Sequence, residues 1–307
     1  MSGLIGILGH DIVPIFIVVG LGYLFARRFQ PDVKSLSRLT FYVFSQCLVF
    51  SLLVRPTLGG PEIGQIALFT VVVMLITGSL GWLAARGLRL ERHATAGLIL
   101  VCMFVNGGNF GLAVNERAFG EPGLARAAVY FVTSTLMVYT LGVAIAAGGG
   151  GSGWRVAARR VFQVPPVYAA LAAVLVRLAG IDLTQPLLEP IAAGIELAGR
   201  ASIPLLLIIL GMQLADTAIG EHVRPALAAS AVRLVASPLV AAGVALAIGL
   251  TGVARQASIV EASMPAAVIN IILATEFGAA PALVTSGVVM STLLSPITLT
   301  VVLSQLK

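Results

Sequence analysis

The chain has 307 residues, of which 58% are hydrophobic and 10% charged, and its formal net charge is +6. A soluble domain carries about a quarter charged residues, so composition excludes a soluble fold and places most of the surface against lipid. The basic residues fall in short loops between apolar runs, the orientation pattern of a membrane protein, which sets nucleic-acid binding aside.

A span needs about 20 mostly apolar residues, and that rule predicts ten. The first covers about residues 7–26 and ends at Arg27-Arg28; no basic leader or cleavage motif precedes it, so it reads as a retained helix. The second starts near Val33, carries Lys34 and Arg38, and ends before Arg55-Pro56. The third, about residues 63–85, is followed by Arg86, Arg89 and Arg92. The fourth, about residues 95–119, is interrupted by Val105-Asn106-Gly107-Gly108-Asn109-Phe110-Gly111, and the fifth covers about residues 122–147. A Gly-rich run at about residues 148–153, then Trp154-Arg155 and Arg159-Arg160, makes a flexible basic connector. The sixth span covers about residues 166–179; the seventh, about residues 187–214, is long enough to tilt or bend at Pro204. The eighth covers about residues 225–250 and the tenth about residues 281–303. The ninth, about residues 255–277, breaks at Met264-Pro265-Ala266-Ala267-Val268-Ile269-Asn270.

Eleven of the 19 Lys and Arg residues follow spans one, three, five and seven, against six on the opposite side. The excess puts the connector in the cytoplasm and both termini outside. Five spans per half is an odd number, so the second half is inverted relative to the first. The predicted fold is an all-α polytopic membrane protein: a five-helix repeat at residues 1–147, the connector at 148–162, and an inverted repeat at 163–307. Phe119-Gly120 matches Phe277-Gly278, and Ser134-Thr135-Leu136 matches Ser291-Thr292-Leu293, at corresponding places in the two halves. Loosened backbone survives in a membrane only where it is buried or lines a watery cavity. Two interrupted helices in corresponding places therefore point to a transporter's binding site.

Five stretches in order resemble the auxin efflux carrier family, which includes the plant PIN carriers and many bacterial organic-acid carriers. They are Ile12-Val13-Pro14-Ile15-Phe16 with Gly20-Leu21-Gly22-Tyr23-Leu24; Leu36 to Phe44; Ser202-Ile203-Pro204-Leu205 with Leu210-Gly211-Met212-Gln213-Leu214; Arg233 to Leu239; and Ala262 to Ala267. The resemblance covers nearly the whole chain. It implies a scaffold of spans 1, 2, 6 and 7 and a transport domain of spans 3–5 and 8–10, in which helices 4 and 9 unwind and cross. It also implies an elevator mechanism, an organic-anion substrate beside the crossing, a homodimer surface on the scaffold and a place in the bacterial inner membrane. The wider superfamily holds the sodium-coupled bile-acid carriers. One departure is Ser45-Gln46-Cys47, where many relatives have a proline.

Broken helices expose N–H ends that favour anions and C=O ends that favour cations. Asn106, Asn109 and Asn270 read either as contacts to a carboxylate or as caps on the broken ends. Gly107, Gly108, Gly111 and Pro265 read as shaping the backbone. Gln46 reads as a substrate contact or an interhelical hydrogen bond. Ionisable groups within spans mark pathways or pairs. Glu196 and Arg200, four apart, read as a mutual salt bridge or as a greeting for the substrate. Arg233 reads as snorkelling to the cytoplasm or serving transport. Glu261 reads as a proton or cation site, or else as a residue facing outer water or pairing with Arg255. No cofactor or metal is expected: His10, His93 and His222 stand near segment ends without ligand spacing, and Cys47 and Cys102 form no redox motif. The chain has no H-E-x-x-H, no G-x-S-x-G and no pair of intramembrane aspartates, which leaves an intramembrane enzyme without support. The expected activity is secondary export of a small organic anion; the alternatives are a sodium- or proton-coupled symporter and a non-transporting receptor.

Overall fold

A computed structural model describes residues 2–55, 58–148, 165–215 and 222–307; the basic part of the connector lies outside the described residues. Every element in them is helical. Seven helices are long and apolar enough to cross a membrane by length and composition: α1 (Gly3–Phe29), α2 (Val33–Val54), α3 (Gly60–Gly87), α5 (Gly107–Ala146), α7 (Glu189–Ala215), α8 (Val223–Ile248) and α11 (Pro281–Leu306). Between them lie four shorter helices, α4 (Arg92–Met103), α6 (Pro165–Leu178), α9 (Gly252–Ala262) and α10 (Ile269–Phe277).

Local chemistry sets the ends. Gln30 closes α1 in the left-handed region after Arg27 and Arg28, cations suited to a helix C-terminus. Asp32 caps α2 by accepting the backbone N–H groups of Lys34 and Ser35, each at 3.1 Å. The Ser35 hydroxyl, then those N–H groups, hold the Asp32 carboxyl below the usual carboxylate range. Proline starts α3 and α11 in the first turn, where its missing N–H costs nothing. α5 combines the second part of the fourth predicted span with the whole of the fifth. It turns at Gly120, whose φ of 66° and ψ of −160° only glycine adopts without strain. Gly278, its partner in the sequence match, ends α10 with a φ of 68°. The second sequence match also has a structural counterpart. Ser134 and Thr135 both donate to the Phe131 carbonyl, and Ser291 and Thr292 both donate to the Val288 carbonyl. α7 runs through Pro204 as one helix.

Packing falls into two sets. α7 lies along α1 and α2, and α6 lies on α2. α3 packs on α4, α5 and α8, α9 on α5 and α8, and α11 on α8, α4 and α10. The sets meet where α7, α2, α6 and α1 touch α5 and where α1 touches α11. At one end of the molecule, Lys307 reaches the buried Asp11 at 2.6 Å, and Arg117 donates to the His10 carbonyl at 2.9 Å. At the far end of α5, Arg92 donates to the Gly148 carbonyl.

The α1–α7 contact is backbone on backbone. A Cβ on Gly22 would overlap the Ile208 carbonyl, and one on Gly211 would overlap the Val19 carbonyl. Gly211→Val should therefore force the pair apart and lower stability by about 1–3 kcal/mol or more. Gly20, with nothing within 4 Å, should accept alanine without loss. Thermal unfolding of both variants in detergent checks this.

Candidate functional site

The two breaks meet. α4 ends at Met103, and Phe104 is extended (φ −104°, ψ 118°). Val105 forms an antiparallel bridge with Ala266, which follows Pro265 in the second break. The Asn106 N–H donates to the Pro265 carbonyl at 2.8 Å, and the Ala267 N–H donates to the Phe104 carbonyl at 3.0 Å. The Ala266 N–H finds the Ser291 hydroxyl of α11 at 3.1 Å. A buried backbone N–H or C=O without a partner costs several kcal/mol in a membrane. Each break thus supplies partners for the other.

After the bridge the chain turns back into helix by different means on the two sides. Gly107–Gly111 form a wide turn, with the Gly111 N–H donating to the Asn106 carbonyl at 3.0 Å. A Cβ on Gly108 would strike the Phe131 ring, and one on Gly107 or Gly111 would strike the Glu261 carboxyl. These glycines serve close packing. On the other side, Pro265 has no N–H to lose and is fully enclosed.

Asn109 and Asn270 each stand four residues after their bridged residue, Val105 and Ala266. The geometry separates them nonetheless. Asn270 is fully buried, and its Nδ2 donates to the Phe104 carbonyl at 3.1 Å, so it ties the junction together. Asn109 is only half-buried, and among the described residues its amide makes no hydrogen bond to protein. It lies in the stretch that α7 packs against, at the seam between the two sets of helices. Asn106 is buried with its Nδ2 unpartnered, and the Oδ1 of Asn270 is likewise unpartnered.

The remaining candidates divide. Glu261 is the second-last residue of α9, fully buried beside the first break rather than facing outer water. Asn115 of α5 donates to its Oε1 at 3.2 Å, and Oε2 has no partner. Asn115 escaped the sequence reading; the signal available was its place one helical turn beyond Gly111. Arg233 does not snorkel. It is 1% exposed and donates to the carbonyls of Cys102 and Ala262, each at 2.5 Å. Tyr130, also missed, is buried with an unpartnered hydroxyl.

Gln46 donates to the Phe41 carbonyl of its own helix at 2.5 Å, not across to a neighbouring helix. Glu196 and Arg200 pair at 2.6 Å, and Glu196 also binds Arg55 at 2.9 Å. Arg55 in turn pairs with Glu121 beside the Gly120 turn, bridging the two sets of helices. These residues, with Glu116, edge a cavity of about 240 Å³ between α2, α5 and α7. Ion pairs this exposed contribute about 0–1 kcal/mol each.

A family model described as membrane transport protein matches residues 7–153 and 154–303. A protein of Methanothermobacter thermautotrophicus named as an uncharacterized transporter is 33% identical over 298 residues, covering 94% of this chain and 95% of that one. A second uncharacterized transporter, from Methanocaldococcus jannaschii, is 25% identical over 293 residues, covering 93% and 94%.

Asn270→Ala should remove the amide donor from the Phe104 carbonyl, which keeps the Ala267 N–H, and cost about 0.5–1.5 kcal/mol in stability. Asn109→Ala should leave the unfolding temperature unchanged. Paired thermal melts of the two variants test whether they hold different jobs.

Proposed function

The chain belongs to the membrane transport protein family, that of the auxin efflux carriers, and from that premise we propose that it is a secondary carrier exporting a small organic anion. The observation that carries this reading is the half-buried Asn109, whose free amide stands at the seam between the two helix sets beside the paired breaks. The polypeptide is read as ten spans in two inverted five-helix repeats, residues 1–147 and 163–307, with the junction of α4–α5 and α9–α10 as the crossing. α1, α2, α6 and α7 would act as the scaffold, and the remaining helices as the moving transport body in an elevator cycle. The reciprocal backbone pairing ties the two breaks to each other, which suits such motion. The scaffold is read as the dimer surface.

A carboxylate fits the junction for a physical reason. The second half-helices, α5 from Gly107 and α10 from Ile269, begin there with free N–H groups and the positive ends of their dipoles. Asn106 and Asn109 add amide donors without charge. An inside-negative potential drives a univalent anion outward with about 2.3 kcal/mol per 100 mV, so export needs no coupled ion. With the basic loops read as inside, the termini and the Arg55–Glu121–Glu196 cluster are read as lying outside, where that cluster would stand at the outer mouth. The buried Glu261, with Oε2 unpartnered, is the observation favouring the second reading, a proton- or cation-coupled symporter.

The test is purified protein in liposomes on a solid-supported membrane, at equal pH, challenged with mono- and dicarboxylates including indole acids. Carboxylate-evoked displacement of negative charge is expected from wild type, with a loss of at least about tenfold in Asn109→Ala, the scale of losing a hydrogen bond to a charged group. Currents that appear only with sodium or an inward proton gradient would favour the symporter. Silence from a folded preparation would remove the carboxylate assignment.

A further inference from the structure

Arg233 is the largest fully buried side chain in the protein among the described residues, and it has no carboxylate partner among them. It leaves α8 in the wide turn Val232–Ala236 and points its guanidinium between two helix C-termini. Nη1 donates to the Cys102 carbonyl at 2.5 Å and lies 3.5 Å from that of Met103, at the end of α4. Nη2 donates to the Ala262 carbonyl at 2.5 Å, at the end of α9, and to the Ser237 hydroxyl. Ser237 donates in turn to the same Ala262 carbonyl at 2.7 Å. The nearby Glu261 is held by Asn115 instead.

The electrostatics follow from the breaks. Each broken helix leaves its last carbonyls without helical N–H partners and carries roughly half a negative charge at its C-terminus. α4 and α9 bring two such ends to one place. In broken-helix transporters, ends of this kind coordinate the coupling cation. A guanidinium is a permanently charged, planar donor, well matched to several carbonyls at once. Burying that charge is tolerable only with extensive hydrogen bonding, which the three terminal carbonyls and Ser237 provide at Nη1 and Nη2, Nε alone being without a partner.

We propose that Arg233 is a built-in cation at the paired C-termini of α4 and α9, occupying the place where a coupling ion would otherwise bind. The junction is then assembled without sodium or any other free cation, and its positive charge stays with the transport body through the cycle. This rests on the carrier reading for its consequence, sodium-independent flux, but its structural part does not.

The test therefore has two readouts. The first is thermal unfolding in detergent with choline, sodium, potassium or millimolar guanidinium chloride at equal ionic strength, far below denaturing concentrations. Wild type and Arg233→Lys should melt at temperatures that do not depend on the cation. Arg233→Ala should melt lower in choline and recover saturably with guanidinium or an alkali cation filling the vacated place. The second readout is the carboxylate-evoked current, expected to be equal in sodium and choline for wild type. Saturable sodium stabilisation of wild type, or a current that requires sodium, overturns the proposal, and neither measurement needs a variant. A folded Arg233→Ala that no cation restores overturns it too. Should Arg233→Ala not yield folded protein, Arg233→Gln carries the same comparison. Failure of the carrier reading looks different: no current in any salt, with the melting comparison still readable.

Discussion

Two backbone hydrogen bonds hold the centre of this protein: Asn106 N–H to the Pro265 carbonyl, and Ala267 N–H to the Phe104 carbonyl. Lipid forces the arrangement. A helix that stops midway across a membrane leaves polar groups that no solvent will satisfy. Two helices that stop at the same place can satisfy each other. Once they do, four helix ends are fixed around one point, two presenting carbonyls and two presenting N–H groups. The rest of the junction answers that charge pattern. Arg233 and Ser237 meet the carbonyl ends. The amides of Asn106 and Asn109 stand on the N–H side, at the start of α5.

The surroundings serve the junction by being close and small. Glycine at 107, 108 and 111 lets Glu261 and Phe131 approach the turning backbone. In the other set of helices, Gly22 and Gly211 bring α1 and α7 into backbone contact. One set of helices is thus locked by direct packing and the other by the paired breaks. The seam between them is bridged at one edge by Arg55 and Glu121 and elsewhere by Lys307 and Asp11. A division of that kind is what relative movement of two bodies requires.

Much of this was legible in the residues. Apolar length located the helices, and the paired Asn–Gly and Pro–Ala interruptions located the junction, because both signals follow from the bilayer's intolerance of polar backbone. The repeated Phe-Gly and Ser-Thr pairs were legible too, and the Gly120 and Gly278 conformations and the shared hydroxyl-to-carbonyl pattern accompany them. What sequence could not supply was direction. Asn109 and Asn270 are alike in type and position, and only the fold makes one a tie and the other free. Arg233 sits close enough to a helix end to snorkel, and only the convergence of α4 and α9 gives it partners inside. Asn115 became visible only when the turn at Gly111 set it against Glu261.

The central claim is that the seam at the paired breaks is the place a substrate reaches. Its most direct test is chemical access at position 109. In a chain with Cys47→Ser and Cys102→Ala, the variant Asn109→Cys would be reconstituted and exposed to a membrane-impermeant thiol reagent, with and without each carboxylate. Reaction that is slowed by carboxylates and not by inorganic salts of equal strength is the predicted result. A thiol that reacts from neither side of the membrane, or at a rate no carboxylate alters, would contradict the account.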